Sequence, residues 1–257
     1  MNIEPAVKYA EKNLDTARID LAIVLGSGLT FIEDGMENLK KVKTSEIPGF
    51  PVSTVAGHKG TISTGLFREK KIMILAGRVH FYEGYSYDEV VFPVEILKGL
   101  GVKKLLMTNA AGGINAEFET GSIVVLENYI APFAPLFKDP IKNPYSAGLN
   151  SLIYNAAVRI GLNVYSGCYA YMTGPSFETK AEINYLRLLG GDVVGMSTVP
   201  ETVHAVKCGI EVAAVSRVSN PAAGMTGKPL SHRDVLESSK RSQDIFAALL
   251  QGFIDLI

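Results

Sequence analysis

Short, continuous apolar runs alternate along this chain with stretches whose apolar positions recur every three or four residues, and that alternation predicts an order of strands and helices. DLAIVLGSG at 20–28 is a buried strand running into glycines, and TISTGLF and KIMILA, on either side of REKK, are a hairpin or neighbouring strands. DEVVFPVEILKGLG at 88–101 has helical spacing, with Asp88 as N-cap and Gly101 as stop. Strands follow at 103–113 and 122–130, a helix at 150–161, a strand turning through Gly-Pro at 166–177 and a helix at 178–191. The remainder reads as a strand at 192–197, a helix at 198–209 with a Thr198/Glu201 capping box, a strand at 210–220 and an amphipathic helix at 231–256. The segment 131–148 is the least regular and is predicted to be a surface loop. With a β-rich insertion around 40–76, the pattern predicts a single α/β domain over 1–257, its central mixed sheet flanked by helices.

Charge and cysteine content narrow the classes of function. The formal net charge is −1 and lysines and arginines are scattered, so there is no basic field for nucleic acid. Two cysteines, Cys168 and Cys208, in apolar surroundings make no disulfide framework, which points to a reducing, cytoplasmic setting. The N-terminus is charged throughout and no apolar run has the length of a membrane span, so a soluble, unprocessed chain is expected, with no membrane partner.

The chemistry gathers where strands end. The strands leave the core through GSG, GRVH, TNAAGG, GMST and SN, exits whose glycines let backbone N–H groups approach an anion while Ser or Arg adds side-chain donors. If the strand over 72–76 continues through Gly77, Arg78 and His80 point to one face, because side chains alternate with period two. Ser197 precedes a predicted helix start, where orphan N–H groups favour an anion. GSGL is neither a P-loop, since no GK[ST] follows, nor a dinucleotide fingerprint, since the third glycine is misplaced.

In their order, GSGLT, AGHKG, GRVHFYEGY, TNAAGGIN, GPSFET, GMSTVPE and a terminal SN…SHRD resemble the trimeric, low-molecular-mass purine nucleoside phosphorylases from about residue 20 to about residue 240. The resemblance implies the nucleoside phosphorylase fold, a homotrimer, and reversible phosphorolysis of 6-oxopurine nucleosides to free base and ribose 1-phosphate, in purine salvage. It implies no cofactor and no metal, inorganic phosphate being the co-substrate. Ser27, His58, Arg78, His80, the backbone at Ala110 and Ser197 would form the phosphate cradle, His58 as a mobile gate and Arg78 supplying charge and a planar fork. Asn220 would hydrogen-bond purine N7 as the base leaves, and Glu178 would accept from N1–H, which adenine lacks. Phe177 would pack on the base, with Val194 and Met196 as apolar walls. Tyr82, Tyr169 and Met196 would meet the ribose, His232 its 5′-hydroxyl, and Glu83 would orient neighbouring donors. His204, within a predicted helix, matches no functional position and reads as structural.

The middle of the chain departs from the family. Members carry a longer insertion after the TNAAGG strand, with an aromatic that a neighbouring subunit lends to the active site; here YIAPFAPLFKDPIKNPYS is shorter, Phe133 and Phe137 are candidates, and neither is assigned. Two other readings are weighed. A methylthio-nucleoside phosphorylase would be expected to replace FET and carry aspartate at position 220, and a catalytically silent purine-binding protein would not need Arg78, His80, Glu178 and Asn220 intact.

Overall fold

The structure is a computed structural model and describes residues 2–26, 31–55, 59–133, 141–225 and 239–257. Its strands are β1 (Leu21–Leu25), β2 (Glu37–Lys43), β3 (Thr61–Phe67), β4 (Lys70–Ala76), β5 (Lys104–Gly113), β6 (Ile123–Ile130), β7 (Tyr165–Tyr171), β8 (Val193–Gly195) and β9 (Glu211–Pro221). Its helices are α1 (Glu4–Asn13), α2 (Tyr87–Gly99), α3 (Ala147–Arg159), α4 (Lys180–Leu188), α5 (Val199–Lys207) and α6 (Ser239–Ile254).

Among the described residues the strands form one mixed sheet in the order β2-β3-β4-β1-β5-β8-β7-β6-β9. A further pairing of β9 with β5 closes the last five strands on themselves, leaving β2, β3, β4 and β1 as an open wing. β1 runs parallel to β4 and β5, and β5 parallel to β9, so the carboxyl ends of these four strands share one edge. In sheets of this kind the ligand crevice lies outside such ends.

Period-two alternation sorts the strand residues into two layers. Ala22, Val24, Met73, Leu75, Leu105 and Met107 face a core completed by Ala6 and Ala10 of α1, Phe92 of α2 and Val203 of α5. Leu21, Ile23, Ile72, Ile74 and Leu106 face the opposite core, filled by Ile153 and Ala156 of α3 and Phe246 and Phe253 of α6. A smaller cluster, Ile114, Ala170, Ile183, Leu186, Val194 and Ala222, seats α4 beside the closed part of the sheet.

Three expectations need correction. Helix α2 begins two residues earlier than expected: Ser86, not Asp88, is the N-cap, because Glu89 closes a capping box with it. The strand over 72–76 ends at Ala76 and does not continue through Gly77, whose φ of +115° takes the backbone out of the extended region. The strand expected over 192–197 is only Val193–Gly195. Helix α1 was not predicted. The expected helix over 231–256 is described from Ser239. No helix among the described residues is long and apolar enough to cross a membrane.

Candidate active site

At the shared edge lies a cavity of about 200 Å³. β5 contributes Ala110, Ala111 and Gly112; β8 and its exit contribute Val194, Gly195, Met196 and Ser197; β9 contributes Ser219 and Asn220. The loop after β4 adds His80 and Tyr82, and the loop before α4 adds Phe177 and Glu178. Of the expected residues, His80, Tyr82, Ala110, Phe177, Glu178, Val194, Met196, Ser197 and Asn220 therefore line one cavity. Ser27, His58 and His232 lie outside the described residues.

His80 is held by Glu83, whose Oε1 accepts from the His80 amide at 2.8 Å and meets Nδ1 at 3.0 Å. A carboxylate can only accept, so Nδ1 carries the proton. The His80 ring stacks on Tyr82 with centroids 4.7 Å apart. The other oxygen of Glu83 accepts from the Thr54 amide at 2.6 Å, the Thr54 hydroxyl at 2.9 Å and the Ser53 hydroxyl at 3.2 Å. Burial works against ionisation of Glu83, but the donors from Thr54 and His80 outweigh it and hold the carboxyl below its ordinary value of 4.5.

Arg78 is not on the cavity wall. It is 6% exposed, and its terminal nitrogens donate to Glu201 at 3.2 Å, Thr198 Oγ1 at 3.0 Å and the Thr108 carbonyl at 2.7 Å. The expectation that Arg78 and His80 project from one strand face is corrected here: β4 has already ended, and Arg78 turns into the interior beneath α5. What it supports is Ser197. Thr198 also accepts from Asn109 Nδ2 at 2.9 Å and lies 3.2 Å from the Ser197 hydroxyl. The Glu201 carboxylate accepts from the Thr198 amide at 3.1 Å, the half of the capping box that positions the start of α5. Thr198 has φ of +71°, an uncommon state for a β-branched residue that costs about 1–3 kcal/mol, held here by these bonds.

Tyr169 is fully buried and is not among the residues lining the cavity; its phenol oxygen accepts from the Ser197 amide at 3.4 Å, so it buttresses Ser197. Gly26, at the exit of β1, is tied by its amide to Thr108 Oγ1 at 3.0 Å, and an added Cβ would come within 2.9 Å of Asn109 Cα and of the Thr108 carbonyl.

Glu178 and Asn220 also line the cavity. Glu178 Oε1 is buried without a hydrogen-bond partner among the described residues, and burial, followed by the nearby Glu182 charge, raises this carboxyl above 4.5 against a hydrogen bond from its own backbone. Asn220 Oδ1 accepts from the Ser219 hydroxyl at 2.7 Å while its Nδ2 donates to the Pro221 carbonyl at 2.9 Å, which fixes the orientation of the amide. Phe177, 80% exposed, stands at the rim. Phe133 is 51% exposed and packs against Tyr185 of the same chain, with ring centroids 5.8 Å apart; Phe137 lies outside the described residues.

Sequence reasoning missed Ser219, Ala111 and Gly112 on the wall and the Thr108–Asn109–Thr198–Glu201 scaffold behind it. The available signal was a pair of polar residues, Thr108 and Asn109, inside an otherwise apolar strand: both are buried, and buried polar side chains require partners.

A family model described as "Phosphorylase superfamily" matches the chain over residues 20–255, and the chain belongs to that superfamily. Within it, the family is that of the purine nucleoside phosphorylases. The chain is 40% identical over 265 aligned residues to purine nucleoside phosphorylase 1 of Geobacillus stearothermophilus, covering 98% of this chain and 96% of that one. It is 34% identical to purine nucleoside phosphorylase of Rattus norvegicus, covering 93% and 88%. The crystal structure of Schistosoma mansoni purine nucleoside phosphorylase in complex with adenosine matches with a TM-score of 0.88 at 32% identity, over 99% of this chain and 96% of that chain. A Schistosoma purine nucleoside phosphorylase in complex with hypoxanthine matches with a TM-score of 0.89.

Proposed function

We propose that the protein transfers the pentosyl group of a 6-oxopurine nucleoside, inosine or guanosine and their 2′-deoxy forms, to inorganic phosphate. The C1′–N9 bond breaks with its electron pair leaving on the purine, a phosphate oxygen bonds to C1′, and the products are free base and pentose 1-phosphate. The observation that carries this reading is a half-buried carboxylate, Glu178, with an oxygen that has no partner among the described residues, in the same cavity as the Ser197 strand exit. A purine with N1–H donates to such a carboxylate, whereas adenine presents a lone pair there and leaves both groups unsatisfied.

At the other end, Ser197 at the start of α5, the backbone at Ala110 and His80 would receive phosphate, with Ser27 and His58 as further cradle members. Arg78 enters as the residue that fixes Thr198 and hence Ser197; direct contact with phosphate would require its pairing with Glu201 to rearrange. Asn220, its amide oriented by Ser219, is aimed to hydrogen-bond N7 as charge builds on the leaving base. Val194 and Met196 would flank the base under Phe177, and Tyr82 and Met196 the ribose, with His232 at the 5′ end. The chemistry requires neither metal nor organic cofactor. A homotrimer in the cytoplasm completes the reading, the free thiols Cys168 and Cys208 fitting a reducing compartment.

The test is purified protein with inosine, with and without phosphate, following hypoxanthine release, with adenosine and 5′-methylthioinosine in parallel. Phosphate-dependent release from inosine well above that from adenosine is expected. The adenosine arm matters because a relative is known in complex with adenosine. Equal use of adenosine would overturn the role given to Glu178, and no release from any substrate would overturn the reading as an enzyme.

A further inference from the structure

On the side of the sheet where α2 and α5 pack, away from the cavity residues, three side chains of metal-ligating type converge. Glu95 projects from α2, His204 from the last turn of α5, and Cys208 caps that helix; one ligand atom from each lies within 4.8 Å of the other two. His204 and Cys208 are four residues apart, so they stack on one helical face. His204 Nε2 lies 2.6 Å from Glu95 Oε1, and Cys208 Sγ lies 3.8 Å from the same oxygen. All three residues are half-buried, reachable from solvent yet flanked by protein. Neither the phosphorolysis reading nor the structural support of the cavity uses them.

We propose that Glu95, His204 and Cys208 form a binding site for a borderline-soft divalent cation, zinc foremost, with water completing a tetrahedral set. The donor chemistry selects the metal: one imidazole nitrogen, one thiolate and one carboxylate suit zinc, while magnesium and calcium want an all-oxygen shell. The spacing fits as well. From the bond lengths to zinc, tetrahedral ligand atoms stand roughly 3.3–3.7 Å apart. The Cys208–Glu95 separation of 3.8 Å is already close to that, and the His204–Glu95 pair must open by less than about 1 Å as the cation takes the place of the shared proton.

The surroundings shape how the site loads. Lys98 Nζ, 3.7 Å from Glu95 Oε2, is a competing cation on a half-exposed side chain that can swing into solvent. Tyr87 packs edge-on against His204 at 6.0 Å. A thiol binds the cation as thiolate, so loading releases its proton to solvent and uptake weakens as pH falls. A loaded site would join α2 to α5 through three protein bonds and so stiffen the helix that begins at Thr198.

Cobalt(II) is the probe, because a thiolate ligand gives it a charge-transfer band that oxygen and nitrogen ligands do not. Chelator-treated full-length protein should take up one cobalt per chain with that band. Cys208→Ser should lose the band, Cys168→Ser should keep it, and His204→Gln should weaken uptake at least ~10-fold, the effect of losing one ligand or its support. Zinc should raise the unfolding temperature of the wild type and of Cys168→Ser but not of Cys208→Ser, the metal-free unfolding of each variant showing that it is folded. Should Cys208→Ser not fold, Glu95→Gln takes its place, with weakened uptake expected. No band in the wild type, a band that survives loss of Cys208, or equal zinc stabilisation of all variants would overturn the proposal and leave an interhelical ion pair. Phosphorolysis assayed on the metal-free protein reports separately on the cavity.

Discussion

Replacing Glu83 by glutamine tests how the cavity's histidine is held. The carboxylate accepts five hydrogen bonds, two at Oε1 from His80 and three at Oε2 from Thr54 and Ser53, and its side chain is 2% exposed. An amide turned either way sets its NH₂ against at least two of these donors. At roughly 1.5 kcal/mol for each lost bond to a charged acceptor, the low end of the usual range, the variant should lose about 3 kcal/mol. For a domain of this size that is a fall in unfolding temperature of about 6–12 °C. The sign with pH follows from the lowered carboxyl: its stabilisation is present above the unfolded value near 4.5 and disappears as pH falls through the lower folded value, so wild type and variant should converge in acid. His80 would also lose the acceptor that fixes its tautomer. The kcat/KM for inosine phosphorolysis should drop about 10- to 100-fold, which corresponds to some 1.4–2.7 kcal/mol of lost positioning. Thermal melts from about pH 2.5 to 8 and initial rates of hypoxanthine release near neutral pH, both in buffer of fixed ionic strength, measure these effects. A glutamine variant with the wild-type unfolding temperature and wild-type rates would refute the account.

Three further outcomes are expected. Hypoxanthine binding should weaken with acid at a higher pH than a solvated glutamate would dictate, because Glu178 is raised by burial and must be ionised to accept from N1–H; in Glu178→Gln that acid limb should vanish, and an unchanged pH profile by calorimetry would exclude Glu178 from base recognition. Asn220→Asp should shift preference toward adenosine by at least ~10-fold in the kcat/KM ratio, and should destabilise by about 1–2 kcal/mol because a carboxylate oxygen replaces the nitrogen that donates to the Pro221 carbonyl; unchanged selectivity in rate assays would remove Asn220 from base reading. Gly26→Ala should cost about 1–3 kcal/mol in urea unfolding, since its Cβ meets backbone atoms of β5 that cannot swing aside, and a neutral result would mean that β1 can shift without cost.

The fold was legible wherever the hydrophobic period was clean. Leu21–Leu25, Ile72–Leu75 and the alternating faces of β9 follow from apolar continuity and the pleat, and the two cores flanking the sheet confirm the layer order that βα alternation implied. Boundaries were less legible because they turn on single side-chain bonds: Ser86 rather than Asp88 caps α2 because Glu89 lies three residues on, a competition that spacing alone does not resolve. The closure of β9 onto both β5 and β6 was invisible, since nothing in one strand's composition names its second neighbour. Of the cavity, the polar strand exits that line it could be picked out from residue types. The base-side roles came only with the family resemblance, because a glutamate before a helix start reads equally well as a dipole-stabilised carboxylate.

Arg78 shows why the remainder could not be read locally. Alternation along a strand placed it beside His80, but its environment is set by Glu201, 123 residues away, and by Thr108 and Thr198. The Arg78 and Glu201 side chains meet at 3.2 Å and are each 3% exposed, and a buried guanidinium needs such a partner. The cavity wall itself is made by neighbours of the pair: Ala110 to Gly112 of β5, Ser197 before the start of α5, and His80. The same bonds hold Thr198 in its left-handed conformation, which directs the amide and hydroxyl of Ser197. In this arrangement the arginine's bonds run to the groups that hold Ser197. A long-range ion pair sets that direction, and residue type and spacing along one strand carry no trace of it.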